Sequence, residues 1–204
     1  MKALLLKDTC VIWKQMKYFL FLIVIFSAIP SAFNNIFAIV YAAMLPYTAM
    51  AYDERSKWDQ LAAMMPYSAR DLVLSKYVFG WLCIAGATVI SVPIQCAVSL
   101  LGVNGGFSLT TVLLSVCCGL GIMSISLPLL FRFGVEKGRL TMFLIIFLVC
   151  GGAGAISTIA VSASEGYSSM AFRQVVLPAA AAAAAVLTAV SVPLSVKFYS
   201  RRES

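Results

Sequence analysis

Histidine is absent from this chain of 204 residues, and only 11% of the residues are charged while 62% are hydrophobic. A soluble domain carries roughly 25% charged residues, so water is not the main solvent of this chain. Without histidine the commonest metal ligand and the commonest general base are missing. That excludes intramembrane proteolysis by a Ser/His pair or a His-bound metal. No G-x-x-x-x-G-K-[ST] occurs, so any ATP site belongs to another chain. No C-x-x-C occurs among cysteines 10, 83, 96, 117, 118 and 150. All but the first fall in apolar runs and read as small apolar residues, with neither a disulfide nor a metal site implied.

The charges that are present lie in islands: positions 2 to 17, 53 to 76, 132 to 139, the pair Glu165 and Arg173, and 197 to 203. No long soluble segment separates the apolar runs, so a single membrane domain is expected over 1–204. From Tyr77 to Phe131 there are 55 uncharged residues, enough for two spans of about 20 residues each. The break between them falls at Gly102-Val103-Asn104-Gly105-Gly106. Residues 141–163 and 174–196 each suffice for one further crossing.

The ambiguous region is 18–52, interrupted by Pro30, Asn34-Asn35 and Pro46. If it crosses twice, turning at Asn34-Asn35, then Lys2, Lys7, Lys14, Lys17, Arg55, Lys57, Arg70, Lys76, Arg132, Lys137, Arg139, Lys197, Arg201 and Arg202 share one side. Only Arg173 is left opposite. That is the positive-inside pattern. The expected fold is therefore all-α and membrane-integral, with six spans at about 18–33, 36–51, 77–101, 107–131, 141–163 and 174–196. Both termini face the cytoplasm. The apolar stretch Tyr18 to Ile29 reads as a retained anchor rather than a cleaved signal peptide. The net charge of +7 is explained by orientation and anionic lipid headgroups, so no nucleic-acid partner is expected.

No Asp or Glu falls inside these spans, and Lys76 and Tyr77 are expected at the headgroups. Ion-coupled carriers keep ionisable residues in the membrane as coupling sites, so energy for uphill movement should enter from outside the membrane. The chain is not expected to be an enzyme.

The segment from Tyr52 to Tyr77 reads as two helices. In the first, over 53–65, Trp58, Leu61, Ala62 and Met65 form an apolar face, and Asp53–Lys57 is an i, i+4 ion pair. Pro66 stops it. Ser68 and Asp71 match a capping box that starts the next helix. A helix of about 20 Å, at 1.5 Å per residue, held between two spans, suits both docking to a partner and lying on lipid. At the N-terminus Leu5, Thr9, Ile12 and Met16 share a face with Lys7 and Lys14 opposite, an amphipathic interfacial helix.

On these residues the chain resembles small six-span permeases of type-2 ABC exporters. Glu54 to Tyr77, with its acidic residue, aromatic, P-x-S, basic residue and K-Y, looks like their first cytoplasmic loop. Arg132-Phe133-Gly134-Val135-Glu136-Lys137-Gly138-Arg139 resembles the F-G-x-E-K-x-R stretch of their second, and Leu4-Leu5-Leu6-Lys7-Asp8 their opening. Ala69 between Ser68 and Arg70 departs from the usual P-x-S-R. Within the family the chain is similar to permeases of phenol-soluble modulin exporters.

The resemblance implies a permease dimer, homo- or heteromeric, above cytoplasmic ABC ATPase subunits that hold the ATP and Mg, with no cofactor in this chain. The coupling helix 53–65 would seat in the ATPase through Asp53, Glu54, Arg55, Lys57, Trp58, Leu61 and Met65, with Arg70 nearby. The second loop would contribute Arg132, Glu136, Lys137 and Arg139. Spans two and five would line the path, including Tyr41, Tyr47, Thr48, Phe143, Phe147 and Cys150, although ordinary packing explains any one of these. An apolar, aromatic path suits amphipathic peptide cargo, with lipids or small hydrophobic compounds as alternatives. The small-residue runs 151–155 and 179–185 read as close packing within the chain ahead of a dimer seam. The rival class is a non-transporting immunity or sensor protein against antimicrobial peptides.

Overall fold

The structure, a computed structural model, describes residues 2–28, 32–58, 61, 64, 68–100, 109–163 and 169–203. Inside its helices the side chains at 2–3, 14–16, 32–35, 69, 135–137, 139, 141, 148–163, 169–176 and 200–203 lie outside the described set. Among the described residues the main helices are α1 Lys2–Ala28, α2 Ala32–Ala43, α3 Leu45–Arg55, α4 Ala69–Leu100, α5 Leu109–Ala163 and α6 Ser169–Glu203. No strand occurs among the described residues, as expected where lipid offers the backbone no hydrogen-bond partner.

Among the described residues, four helical stretches are long and apolar enough to cross a membrane: Ile36–Arg55, Arg70–Leu100, Leu109–Gly134 and Leu177–Tyr199. A fifth is reached if the bent pair Leu4–Trp13 and Lys17–Ala28, set at 75°, counts as one span. That bend separates the N-terminal segment from the apolar stretch after it. The expected fifth span, 141–163, is helical in its backbone, but most of its side chains are outside the described set.

The turn between the first two spans is displaced from the expected position. Asn34 and Asn35 lie within the first turn of α2, which begins at Ala32, while α1 ends at Ala28; residues 29–31 lie outside the described set. A second interruption at Met44 precedes Pro46 in the first turn of α3, a position where proline loses no helical hydrogen bond. α4 begins with the Ser68 half of the expected capping box, while Asp71 returns to the Ser68 hydroxyl rather than to its backbone amide. The Asp71 amide donates to Ser68 Oγ at 3.2 Å, and the Ser68 hydroxyl donates to the Asp71 carboxylate at 2.9 Å.

α5 is two limbs joined at Gly134, whose φ of 77° and ψ of 172° are not helical. Eight residues of straight helix would separate Leu130 from Gly138 by about 12 Å. Yet a Cβ added at Gly138 would lie 3.6 Å from Leu130 Cα, so the chain folds back on itself there.

The largest buried cluster joins Ile39 and Ala43 of α2, Val73, Tyr77 and Ile84 of α4, Met123, Leu127 and Phe131 of α5, and Tyr199 of α6. Glycine allows its closest approaches. A Cβ at Gly80 would lie 2.6 Å from Met123 Sδ and 2.9 Å from Pro46 Cγ, and one at Gly119 would lie 2.9 Å from Ile39 Cγ2. The alanine run 179–185 does not show the packing expected of it within the chain: Ala184 is buried while most of its neighbours are exposed.

Candidate functional site

The N-terminal segment buries a face different from the expected one. Leu4, Asp8 and Ile12, spaced i, i+4 and i+8, are all buried, while Leu6, Cys10 and Trp13 are exposed. A helix does not bury an aspartate without a partner, because an uncompensated charge in a low-dielectric interior is expensive. The partner comes from α4, 68 positions away. Lys76 Nζ donates to Asp8 Oδ1 at 2.7 Å and to Oδ2 at 2.8 Å.

The same ammonium donates to Asp53 Oδ2 at 2.6 Å. Lys7 completes the group, donating to Asp53 Oδ1 at 2.6 Å and lying 3.2 Å from Asp8 Oδ1. Two lysines and two aspartates from α1, α3 and α4 thus form one hydrogen-bonded cluster whose charges sum to zero. Their side chains are between 2% and 20% exposed. Charge balance makes such burial tolerable, and removal of any one member leaves an unpaired charge.

Several sequence expectations change here. Asp53 does not pair with Lys57: α3 ends at Arg55, Lys57 takes a φ of 53°, and the i, i+4 register is lost. The segment 53–65 is therefore not one unbroken helix. Its first turn closes α3, with the Ser56 amide bonded to the Tyr52 carbonyl and the Lys57 amide to that of Glu54. Lys76 lies near one end of its helix and is buried against the two aspartates. It belongs to the span Arg70–Leu100, as Asp53 belongs to Ile36–Arg55, so the spans do carry ionisable residues, at one end and paired with each other.

Trp58 is the link between this cluster and the segment beyond α3. Its ring lies under the Lys7 ammonium, 4.1 Å from the centroid, a distance at which the ring's negative face attracts a cation. Trp58 thus faces inward, while Leu61 and Met64 are exposed, 50% and 84% respectively. A cavity of about 50 Å³ opens between Trp58, Glu54 and the four charged residues, closed on its apolar side by Leu130, Phe131 and Tyr199. Arg55, Lys57 and Arg70 are exposed. Met65 lies outside the described residues.

In the second loop the Arg132 guanidinium sits 5.2 Å from the Phe133 ring and 5.4 Å from that of Phe198 on α6. The side chains of Glu136, Lys137 and Arg139 lie outside the described set, as does that of Cys150. Of the expected path residues, Tyr41, Tyr47 and Thr48 are half-buried. Tyr41 packs on Phe19 at 4.6 Å, and Thr48 donates to the Met44 carbonyl at 3.2 Å. Phe143 and Phe147 are exposed on the surface of the single chain.

Directly after Lys76, Tyr77 is fully buried and ties α4 to α5 and α6. The Ser191 hydroxyl donates its one hydrogen to the Ser124 carbonyl at 2.5 Å, so Tyr77 must donate to Ser191, and Ser195 in turn donates to the Tyr77 oxygen at 2.8 Å. The ionic cluster and this hydroxyl chain are adjacent on α4 and together engage α1, α3, α4, α5 and α6.

Lys7, Asp8 and Lys76 were not among the expected site residues. Their signal was weak but present: Asp8 is the one acidic residue within the first 52 positions, and it sits at helical spacing between Leu4 and Ile12.

Comparison with known proteins gives a family. No curated protein and no solved structure matches the chain. The model of the ABC-2 family transporter proteins matches residues 3–200. With nearly its whole length matched, this chain belongs to the ABC-2 transporter family.

Proposed function

We propose that this protein is the membrane subunit of an ATP-driven exporter of amphipathic peptides, working as a dimer above cytoplasmic ABC ATPase subunits. Family membership makes it a multi-pass transmembrane subunit of an ABC transporter, and such subunits work with an ABC ATPase in general. The exporter direction, the peptide cargo and the docking segment are our reading.

One observation carries the docking assignment. The chain between α3 and α4 holds Trp58 inward on Lys7 while leaving Leu61 and Met64 exposed. A segment anchored on one side by a cation–aromatic contact, with apolar side chains free on the other, is built to receive a groove-bearing partner. Arg55, Lys57 and Arg70, all exposed beside it, can match acidic rims on that partner and speed its association. ATP and Mg bind the ATPase, whose closure then moves this segment. The exposed Phe143 and Phe147 suit a path wall formed only when two copies assemble, and apolar aromatic walls favour amphipathic cargo over sugars or ions.

The test is co-purification in detergent with a co-expressed ABC ATPase subunit from the same genome. Leu61→Asp with Met64→Asp should abolish association while the melting temperature of the permease alone stays unchanged. Undiminished association of that variant contradicts the assignment, and no association of the unaltered chain contradicts the exporter reading as a whole.

A further inference from the structure

The buried ionic cluster is larger than stability requires. A buried ion pair gains little over apolar residues of the same volume, so a four-membered cluster at the ends of two candidate spans calls for a role besides packing. What distinguishes this cluster is where its members come from. Lys7 has one face on the Trp58 ring and donates from the same ammonium to Asp53 at 2.6 Å. Asp53 is held in turn by Lys76, which also grips both oxygens of Asp8. A displacement of Trp58 therefore reaches α1, α3 and α4 through short charged contacts rather than through the exposed, non-helical turn at Ser56 and Lys57.

We propose that Lys7 is a positioning residue for coupling: it transmits movement of the segment between α3 and α4 into the spans, with Asp53 and Lys76 as the receiving elements. This rests on the docking reading above. In it, the turn at Ser56 and Lys57 acts as a hinge, and the ionic cluster is the stiff connection that bypasses the hinge. Lys7→Met alone leaves one lysine against two aspartates, and Asp53→Asn alone leaves two lysines against one aspartate. Together, Lys7→Met and Asp53→Asn leave the neutral pair Lys76 and Asp8 intact.

The experiment uses the complex of permease and ATPase in lipid nanodiscs, with spin labels at the exposed positions Trp13 and Val190. Three quantities are read: melting temperature, ATPase association, and the ATP-induced change in label distance. Each single variant should melt earlier than the parent, and the double variant should melt close to it. Association should persist throughout. The ATP-induced change should be present in the parent and lost in the double variant despite its restored stability. A purely structural cluster would restore both properties together, and a double variant that responds to ATP like the parent overturns the coupling role. If the parent itself fails to bind the ATPase, the exporter reading falls and the coupling role falls with it. If the parent binds but its labels do not move with ATP, only the coupling role is overturned.

Discussion

Lys76→Met is the perturbation whose size the structure defines best. Methionine keeps much of the side-chain volume and removes three hydrogen bonds of 2.6 to 2.8 Å. Asp8, with its side chain 2% exposed, is left with only Lys7 at 3.2 Å. The cluster then holds Lys7 against Asp8 and Asp53, a net charge of minus one in a mostly buried site. Breaking a buried pair by removing one partner costs about 3–5 kcal/mol. For a chain of this length each kcal/mol moves the midpoint by roughly 2–4 °C, so the purified protein in detergent should melt about 6–20 °C lower. Lys76→Met combined with Asp8→Asn restores neutrality around Lys7 and Asp53 and should recover most of the loss. The assay is thermal unfolding followed by intrinsic tryptophan fluorescence. A single variant that melts with the parent, or a double variant that melts no higher than the single, refutes the reasoning that the cluster is balanced by charge.

Other substitutions separate neighbouring contributions. Tyr77→Phe leaves the packing and removes the hydroxyl between Ser191 and Ser195; hydrogen bonds between membrane helices average about 0.6 kcal/mol, so the same melting assay should show a much smaller drop than Lys76→Met. Gly134→Ala should cost about 1–3 kcal/mol, because φ 77° with ψ 172° is a region open essentially to glycine alone. Gly134→Asn should give no relief, since asparagine favours a different ψ. Gly80→Val should destabilise by about 1–3 kcal/mol through overpacking against Met123 and Pro46, and Met123→Ala in the same chain should return part of it, both read as melting temperature.

How far the sequence could be read depended on the range of the interaction. Hydropathy and the charge islands lead directly to a helical membrane domain, and the Ser68 half of the expected cap, a contact over three positions, is found. The N-terminal segment was recognisable as a separate amphipathic element. Its orientation was not, because amphipathicity alone cannot tell a lipid surface from a protein groove. Asp8 turns the buried face by part of a turn from the expected one, with Ile12 common to both, and its partner lies 68 positions away. For the same reason Asp53 was assigned a local pair with Lys57, whereas its carboxylate binds lysines 46 and 23 positions distant. The helix expected over 53–65 is interrupted at Ser56 and Lys57, where Lys57 takes a φ of 53°. The fold-back at Gly134 could be suspected from the glycine and the charged stretch around it, but its sharpness depends on Gly138 accepting Leu130 at its surface.

The central claim is that this chain converts ATP closure in a partner into movement of amphipathic peptides. It is tested most directly by reconstituting the permease with its ATPase in lipid vesicles and measuring ATP hydrolysis while adding, in turn, an amphipathic helical peptide, additional lipid and simple salts. The account predicts that hydrolysis rises in a saturable way with the peptide and not with salts, and that the rise disappears in the Leu61→Asp, Met64→Asp variant. Hydrolysis that ignores peptides but follows lipid composition would contradict it.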